Sequence, residues 1–80
     1  MWIDARDTGD RPCFINSDQA VAFKVKDRNI IAIYPNGVCY KVKNLDDPGL
    51  EGSTDEEKFK TFKTNFTIYR LLEKKAERST

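Results

Sequence analysis

The chain has 80 residues, of which 14 are basic and 13 acidic, so its formal net charge is +1. This length supports one domain with a single small core, and the balanced charge offers no general attraction to nucleic acid or acidic membranes. Histidine is absent, which removes the usual general base and the commonest metal ligand. We therefore expect a binding protein without a cofactor, not an enzyme.

The N-terminal residues and the cysteines bear on location. Residues 1–6 lack the apolar core of a signal peptide, and no apolar run in the sequence approaches the roughly 20 residues of a membrane span. We therefore expect a soluble cytoplasmic protein in which Cys13 and Cys39 are free thiols. A single disulfide between them is the alternative.

The first 20 residues predict two short strands, at residues 2–6 and 13–15. Pro12 limits the second strand to a sheet edge or places it at a strand start, since proline cannot donate a ladder hydrogen bond. Residues 16–18 are short and polar, which is typical of a turn. We expect this N-terminal hairpin to extend the sheet formed by the strands that follow.

Three further strands are predicted between residues 21 and 43. Residues 21–26 and 38–43 alternate between apolar and polar, and the run at 30–34 is β-branched and aromatic. Asn36-Gly37 predicts a two-residue type I′ turn between the second and third of these strands. Residues 27–29 predict a three-residue loop between the first two, with Asn29 in the left-handed conformation.

These loop lengths predict the strand register. They place Val25 opposite Ile31 and Ile33 opposite Tyr40, and a slip of one residue would reverse the faces of a strand. The predicted inner face carries Val21, Phe23, Val25, Ile31, Ile33, Val38, Tyr40 and Val42. The predicted outer face carries Ala22, Lys24, Lys26, Ile30, Ala32, Tyr34, Cys39, Lys41 and Lys43.

A long helix is predicted at the C-terminal end. An acidic loop at residues 44–53 precedes Thr54, which is suited to cap a helix, and Glu57 completes a capping box. The apolar stripe of this helix comprises Phe59, Phe62, Phe66, Tyr69 and Leu72. We expect the stripe to cover the sheet, with a coiled-coil seam as the alternative. The predicted fold is one α+β domain over residues 1–80: a sheet region at 1–43, the loop at 44–53 and a helix at 54–78.

The outer sheet face is the candidate ligand site. In the predicted register, one row reads Lys26–Ile30–Lys43 and the next Lys24–Ala32–Lys41, with Tyr34 extending the face. Ammonium groups beside an aromatic ring suit a phosphate or a nucleotide base. The alternative is a solvated face whose lysines protect the sheet edges.

A line of apolar residues on the same face predicts self-association. Ile30, Ala32 and Tyr34 would be exposed together, and an apolar line of this kind marks an interface. Ile68 and Leu71 widen the helix stripe and form a second candidate interface. We expect a homo-oligomer, most simply a twofold dimer.

Several of these residues also carry a resemblance. Phe14-Ile15-Asn16, Asp18, Ile33, Asn36-Gly37, Tyr40 and Val42, followed by an acidic helix start, form a pattern over residues 12–75. It resembles short flagellar and swarming-motility proteins of the FlbD type and many small phage-encoded proteins. The chain departs from the motility type in its longer acidic loop and its long aromatic helix.

The resemblance to phage proteins implies a function in the bacterial host cytoplasm. Some small phage proteins of this build counter host defence by sequestering nucleotide signals or by binding host proteins. The leading expectation is therefore an oligomeric binding protein with an anionic, nucleotide-like ligand. A module that inhibits or adapts a host protein is the alternative, and weak nucleic-acid binding is the third possibility.

Overall fold

The computed structural model describes residues 1–78, with side chains described through Lys75. The chain divides into two compact units, Met1–Asp47 and a second unit that starts at Pro48. The first contains five strands and one turn of 3-10 helix; the second contains one helix. The elements are β1 (Trp2–Arg6), β2 (Pro12–Asn16), the 3-10 turn (Ser17–Gln19), β3 (Ala22–Lys26), β4 (Asn29–Ile33), β5 (Cys39–Asn44) and α1 (Asp55–Arg78).

The five strands form one antiparallel sheet in the order β2-β1-β5-β4-β3. The predicted α+β class is therefore confirmed, with the N-terminal hairpin as part of the sheet. Pro12 is the first residue of β2, and β2 is an outer strand. A strand start and an outer strand are both positions at which a sheet tolerates proline. Asp7 closes the β1–β2 loop because its Oδ1 accepts the N–H groups of Gly9 and Arg11 at 2.9 and 3.0 Å.

The turn between β3 and β4 is one residue shorter than predicted. Asp27 and Arg28 both have positive φ, 50° and 65°, as a two-residue type I′ turn requires. Asn29 is consequently the first residue of β4 and lies opposite Lys26. The predicted three-residue loop is wrong, and Val25 lies opposite Ile30, not Ile31.

The loop between β4 and β5 is one residue longer than predicted. The Gly37 N–H donates to the Tyr34 carbonyl at 2.9 Å, and the Tyr34 N–H donates to the Val38 carbonyl at 2.9 Å. Pro35 suits the second position of a type I turn because its φ is restricted. Gly37 follows with φ of 85°, as the bulge position of a three-residue hairpin loop needs. The predicted Asn36-Gly37 type I′ turn is therefore wrong.

The two errors shift β4 by one residue and reverse its faces. Ala32 lies opposite Phe23 on one side and Tyr40 on the other, and a buried cluster forms around Ala5, Ile15 and Ala32. The half-buried residues packed against this cluster are Ile3, Cys13, Ala20, Phe23, Tyr34, Tyr40 and Val42.

The reversal overturns the predicted Ile30–Ala32–Tyr34 interface. Ile30 and Ala32 are both 0% exposed, so neither side chain is available to a partner. Tyr34 is half-buried against the core cluster. Ile31 was predicted to face inward and is also buried, so β4 has buried side chains on both of its faces.

The helix α1 begins one residue later than predicted, at Asp55. Thr54 caps it by accepting the Glu57 N–H at 3.2 Å. The Glu57 carboxylate reaches one residue further back than a capping box requires and accepts the Ser53 N–H and hydroxyl at 2.9 and 3.0 Å. The backbone N–H of Ser53 makes the largest contribution to lowering the pKa of Glu57.

The aromatic residues of α1 stack along the helix. The Phe62 ring lies 6.4 Å from the Phe59 ring and 5.8 Å from the Phe66 ring, between centroids. These three residues are half-buried, whereas the stripe continues into Tyr69 and Leu72, which are 61% and 56% exposed. That this stripe covers the sheet stays a prediction.

Candidate functional site

A cleft opens where β1 and β5 separate. Among the described residues, the ladder between these strands consists of one pair, Arg6 opposite Lys41. Next to it, β5 carries a bulge: Lys41 lies opposite Ile31 and Lys43 opposite Ile30, which leaves Val42 as an extra residue. A bulge bends its strand and interrupts pairing, so the two strands diverge beyond the pair.

The cleft has a volume of about 620 Å³, within the range of about 300–1,000 Å³ typical of small-molecule sites. Its lining comes from β1, β5 and the loops that follow them, together with the first residues of β2 and β4. The lining residues are Asp4, Ala5, Arg6, Asp10, Pro12, Cys13, Asn29, Lys41, Val42, Lys43, Asn44 and Asp47.

The charges that line the cleft are mixed. Three cations, those of Arg6, Lys41 and Lys43, stand beside three carboxylates, those of Asp4, Asp10 and Asp47. The cleft is therefore formally neutral, and every charge has an opposite charge on the same surface. Two asparagine side chains also line the cleft: Asn44 Nδ2 donates to Asn29 Oδ1 at 3.1 Å, and Asn44 Oδ1 accepts the Asp46 N–H at 2.8 Å. Each of these amide oxygens can accept a second hydrogen bond.

The lysines of the cleft are held by carboxylates. Lys43 Nζ lies 3.3 Å from Asp47 Oδ2, and Lys41 Nζ lies 3.8 Å from Asp10 Oδ1. Both lysine side chains are 38% exposed, so these pairs are open to solvent and worth little individually. A ligand can therefore displace either carboxylate at small cost.

Arg6 is held at the mouth of the cleft by the loop that follows β1. Its Nη1 donates to the Asp10 carbonyl at 3.0 Å, while the Asp10 carboxylate lies near Lys41. Asp10 adopts a left-handed backbone conformation, with φ of 61°. The β1–β2 loop thus places one residue, Asp10, against both a guanidinium and an ammonium group.

One predicted lysine row is retained with a different centre. Lys24 and Lys41 still share a row across the sheet, but the residue between them is Ile31, not Ala32. The register shift of β4 against β3 and the register shift of β4 against β5 cancel. The position of β3 relative to β5 is therefore as predicted. Lys41 lines the cleft and Lys24 does not.

The other predicted lysine row is broken. Lys26 lies opposite Asn29, and Lys43 lies opposite Ile30, because the bulge on β5 adds one residue between the rows. Lys26 instead lines a hollow of about 210 Å³, which also includes Lys41. Of the four predicted lysines, Lys41 and Lys43 thus meet at the cleft.

Tyr34 is not placed to stack on a ligand. Its hydroxyl donates to the Asn16 carbonyl at 2.8 Å, and its ring meets Tyr40 edge to face at 5.3 Å between centroids. Burial raises the pKa of the Tyr34 hydroxyl, with a smaller effect from Tyr40. The structure therefore assigns Tyr34 to the core, contrary to its predicted place on the ligand face.

Cys13 and Cys39 are free thiols, as expected from the sequence. Cys13 lines the cleft, and desolvation raises the pKa of its thiol, with a smaller effect from Asp7. A raised pKa disfavours the thiolate that a nucleophile or a metal ligand needs. Among residues 1–78, no group of three or more Cys, Asp, Glu or His side chains is arranged to hold a metal.

The sequence interpretation missed Arg6, Asp10, Asn29 and Asn44 as site residues. Topology brings them together, because β1 pairs with β5, a strand that begins more than 30 residues later. No local motif marks that pairing. The one available signal was the alternation in residues 2–6, which places Trp2, Asp4 and Arg6 on one face.

Comparisons with family models, with curated proteins and with solved structures find no match to this chain. Over residues 1–78, no helix has both the length and the apolar character of a transmembrane span.

Proposed function

We propose that the protein is a non-catalytic binding protein whose cleft between β1 and β5 takes a small nucleotide-like ligand. The observation that carries this proposal is the break in the ladder beyond Arg6 and Lys41, which opens a polar cleft of about 620 Å³. The raised thiol pKa of Cys13 supports a binding role over a nucleophilic one.

The mixed charge favours a nucleotide over a simple anion. A bare phosphate meets Arg6, Lys41 and Lys43 but also the repulsion of three nearby carboxylates. A nucleotide carries an anionic phosphate together with hydroxyl and amino donors. Its phosphate suits the cations, and its donors suit the aspartate and asparagine oxygens. The cleft therefore offers groups for both ends of such a molecule.

Calorimetry with a panel of mononucleotides and cyclic dinucleotides, beside nucleosides and inorganic phosphate, tests the proposal. Lys41→Gln is expected to weaken nucleotide binding about 10-fold or more, since hydrogen bonds to charged groups are worth about 1.5–3 kcal/mol. Lys24→Gln is the matched control, because Lys24 lies in the same row but outside the cleft. If Lys41→Gln binds as the parent does, or no nucleotide binds, the proposal is wrong.

A protein partner is the second candidate function, in which the chain inhibits or adapts a host protein. The exposed part of α1 favours it, because Ile68 and Leu71 are 49% and 59% exposed and exposed apolar residues on one helix mark an interaction surface. Under this alternative, Leu71→Lys abolishes partner binding and Lys41→Gln does not. The calorimetric panel together with a pull-down, each with both variants, distinguishes the two functions.

The proposed origin and setting follow from the resemblance alone. The resemblance to small phage-encoded proteins, some of which sequester nucleotide signals, is the reason to include cyclic dinucleotides in the panel. The same resemblance motivates the proposal that the protein acts in a bacterial cytoplasm and counters host defence. Weak nucleic-acid binding stays the third possibility, tested by adding a single-stranded oligonucleotide to the same titrations.

A further inference from the structure

The free edge of β2 has a defined set of backbone hydrogen-bonding groups. The Ser17 N–H donates to the Met1 carbonyl at 2.8 Å, and the Asp7 N–H donates to the Arg11 carbonyl at 3.0 Å. These two bonds bracket the hairpin in which β1 pairs with β2. In an antiparallel ladder, hydrogen-bonded and non-hydrogen-bonded pairs alternate. The backbone groups of Pro12, Phe14 and Asn16 therefore point away from β1.

Two of the outward positions on this edge need no hydrogen-bonding partner from another chain. Proline has no N–H, so Pro12 presents a carbonyl alone. The Asn16 carbonyl accepts the Tyr34 hydroxyl at 2.8 Å. The edge thus offers the carbonyls of Pro12 and Phe14 as acceptors and the N–H groups of Phe14 and Asn16 as donors.

We propose that this edge pairs with the β2 edge of a second copy of the chain, antiparallel and about a twofold axis at Phe14. Phe14 of one copy then lies opposite Phe14 of the other, and the two exchange both backbone hydrogen bonds. Pro12 lies opposite Asn16, whose N–H donates to the Pro12 carbonyl. The Asn16 carbonyl would face the Pro12 nitrogen, which has no hydrogen to donate. Because this carbonyl already accepts the Tyr34 hydroxyl, it needs no donor from the second copy. The edge is therefore complementary to itself.

The side chains on this edge favour the same pairing. Trp2 and Phe14 are 58% and 62% exposed, and their rings stack with centroids 5.5 Å apart. The twofold axis places the two Phe14 rings side by side, which joins the stacks into a run of four rings. Since a large aromatic ring buries about 150–250 Å², four half-exposed rings supply on the order of 500 Å² to the interface.

The charges agree with a homodimer. No residue of β2 is charged, so no like charges meet at the centre of the pairing. Arg11 and Asp18 flank the strand, with side chains 83% and 51% exposed. In the antiparallel arrangement Arg11 of one copy lies opposite Ser17 of the other, next to its Asp18. Opposite charges therefore approach at both ends of the interface.

Sedimentation equilibrium from about 10 µM to 1 mM tests this inference, which does not depend on ligand binding in the cleft. The parent chain is expected to dimerise. Phe14→Lys is expected to raise the dimer dissociation constant at least about 30-fold, as for a central aromatic anchor. Val21→Lys is the matched control, because Val21 is 65% exposed and lies outside β2. Circular dichroism verifies that both variants fold.

Amide hydrogen exchange of the parent chain gives a second readout that needs no variant. Protection of the Phe14 and Asn16 amides is expected to rise with protein concentration, while the exposed amides of β3 stay unchanged. A parent chain that is monomeric at 1 mM, or a Phe14→Lys dimer as tight as the parent dimer, overturns the inference. A monomer whose Phe14 resonances shift with a single-stranded oligonucleotide overturns it too and assigns the aromatic pair to nucleic acid.

Discussion

The two outer strands of the sheet, β2 and β3, present different edges to their surroundings. β3 carries Lys24 and Lys26, both exposed, within its five residues. β2 carries no charge within its five residues, and the Trp2–Phe14 stack lies beside its edge. Charged side chains on an outer strand prevent pairing with other chains. This difference in charge is the reason to propose pairing at the edge of β2 and not at the edge of β3.

The two strands also differ in how deeply their side chains are buried. Truncating a buried side chain on each strand tests this difference, and it is expected to have the largest effect on stability. Ile15 on β2 is 7% exposed and belongs to the buried cluster, whereas Val25 on β3 is half-buried. Ile15→Ala is expected to reduce the free energy of unfolding by about 2–5 kcal/mol. Val25→Ala is expected to cost about 1–2 kcal/mol. Urea denaturation measures both, and equal costs would show that the two edges are anchored alike.

The N-terminal hairpin and the class of fold were predictable because their signals are local. The strand predicted at residues 2–6 is β1, and Pro12 predicts an outer strand or a strand start. The helix was predictable from Thr54 and the spacing of its aromatic residues. In each of these regions, neighbouring residues within one element carry the signal, either as an apolar face or as a residue type typical of an element's end.

The register of β4 was not predictable, because β4 has no alternation to specify it. Ile30, Ile31, Ala32 and Ile33 are all apolar, so the assignment depended on loop lengths alone. Pro35 was the missed local signal, since it favours a type I turn followed by Gly37. The Asp27-Arg28 turn depends on distant contacts instead: the Arg28 carbonyl accepts the Leu45 N–H at 2.9 Å, and its guanidinium pairs with Asp46.

One of the two predicted lysine rows is retained because the two register errors compensate. A shift of β4 leaves β3 and β5 in the same relative position, so Lys24 and Lys41 stay in one row. The bulge at Val42 then breaks the second row, and no property of Val42 in the sequence indicates a bulge. The cleft itself depends on the single Arg6–Lys41 pair between β1 and β5, which is a consequence of topology.

Removing the lysines of β3 should make the two edges more alike. In the double variant Lys24→Val and Lys26→Val, residues 22–26 read AFVVV, an uncharged run of high β-propensity of the kind that associates between chains. Light scattering is expected to show concentration-dependent association that goes beyond the dimer proposed for the parent chain. Lys60→Ala, an exposed change on α1, is the control. If the double variant behaves like the parent, charge is not what protects β3.

The smallest expected effect concerns the loop that leads into β2. Two backbone N–H groups donate to the Asp7 carboxylate, and they lower its pKa, the one from Arg11 most strongly. A carboxyl whose pKa is lower in the folded state stabilises the protein above its unfolded pKa, about 3.9. This stabilisation is lost as the pH falls through the lower, folded value.

The β1–β2 loop should therefore loosen in acid before the β3–β4 turn, where the backbone bond from the Leu45 N–H to the Arg28 carbonyl does not titrate. NMR titration from pH 6 to pH 2 is expected to shift the Gly9 and Arg11 amide protons below the ordinary aspartate range, because protonated Asp7 is a weaker acceptor. In Asp7→Asn this titration step disappears, while Glu57→Gln, which alters the start of α1, leaves it in place. Gly9 and Arg11 resonances that titrate identically in Asp7→Asn and the parent chain would assign the acid sensitivity to another group.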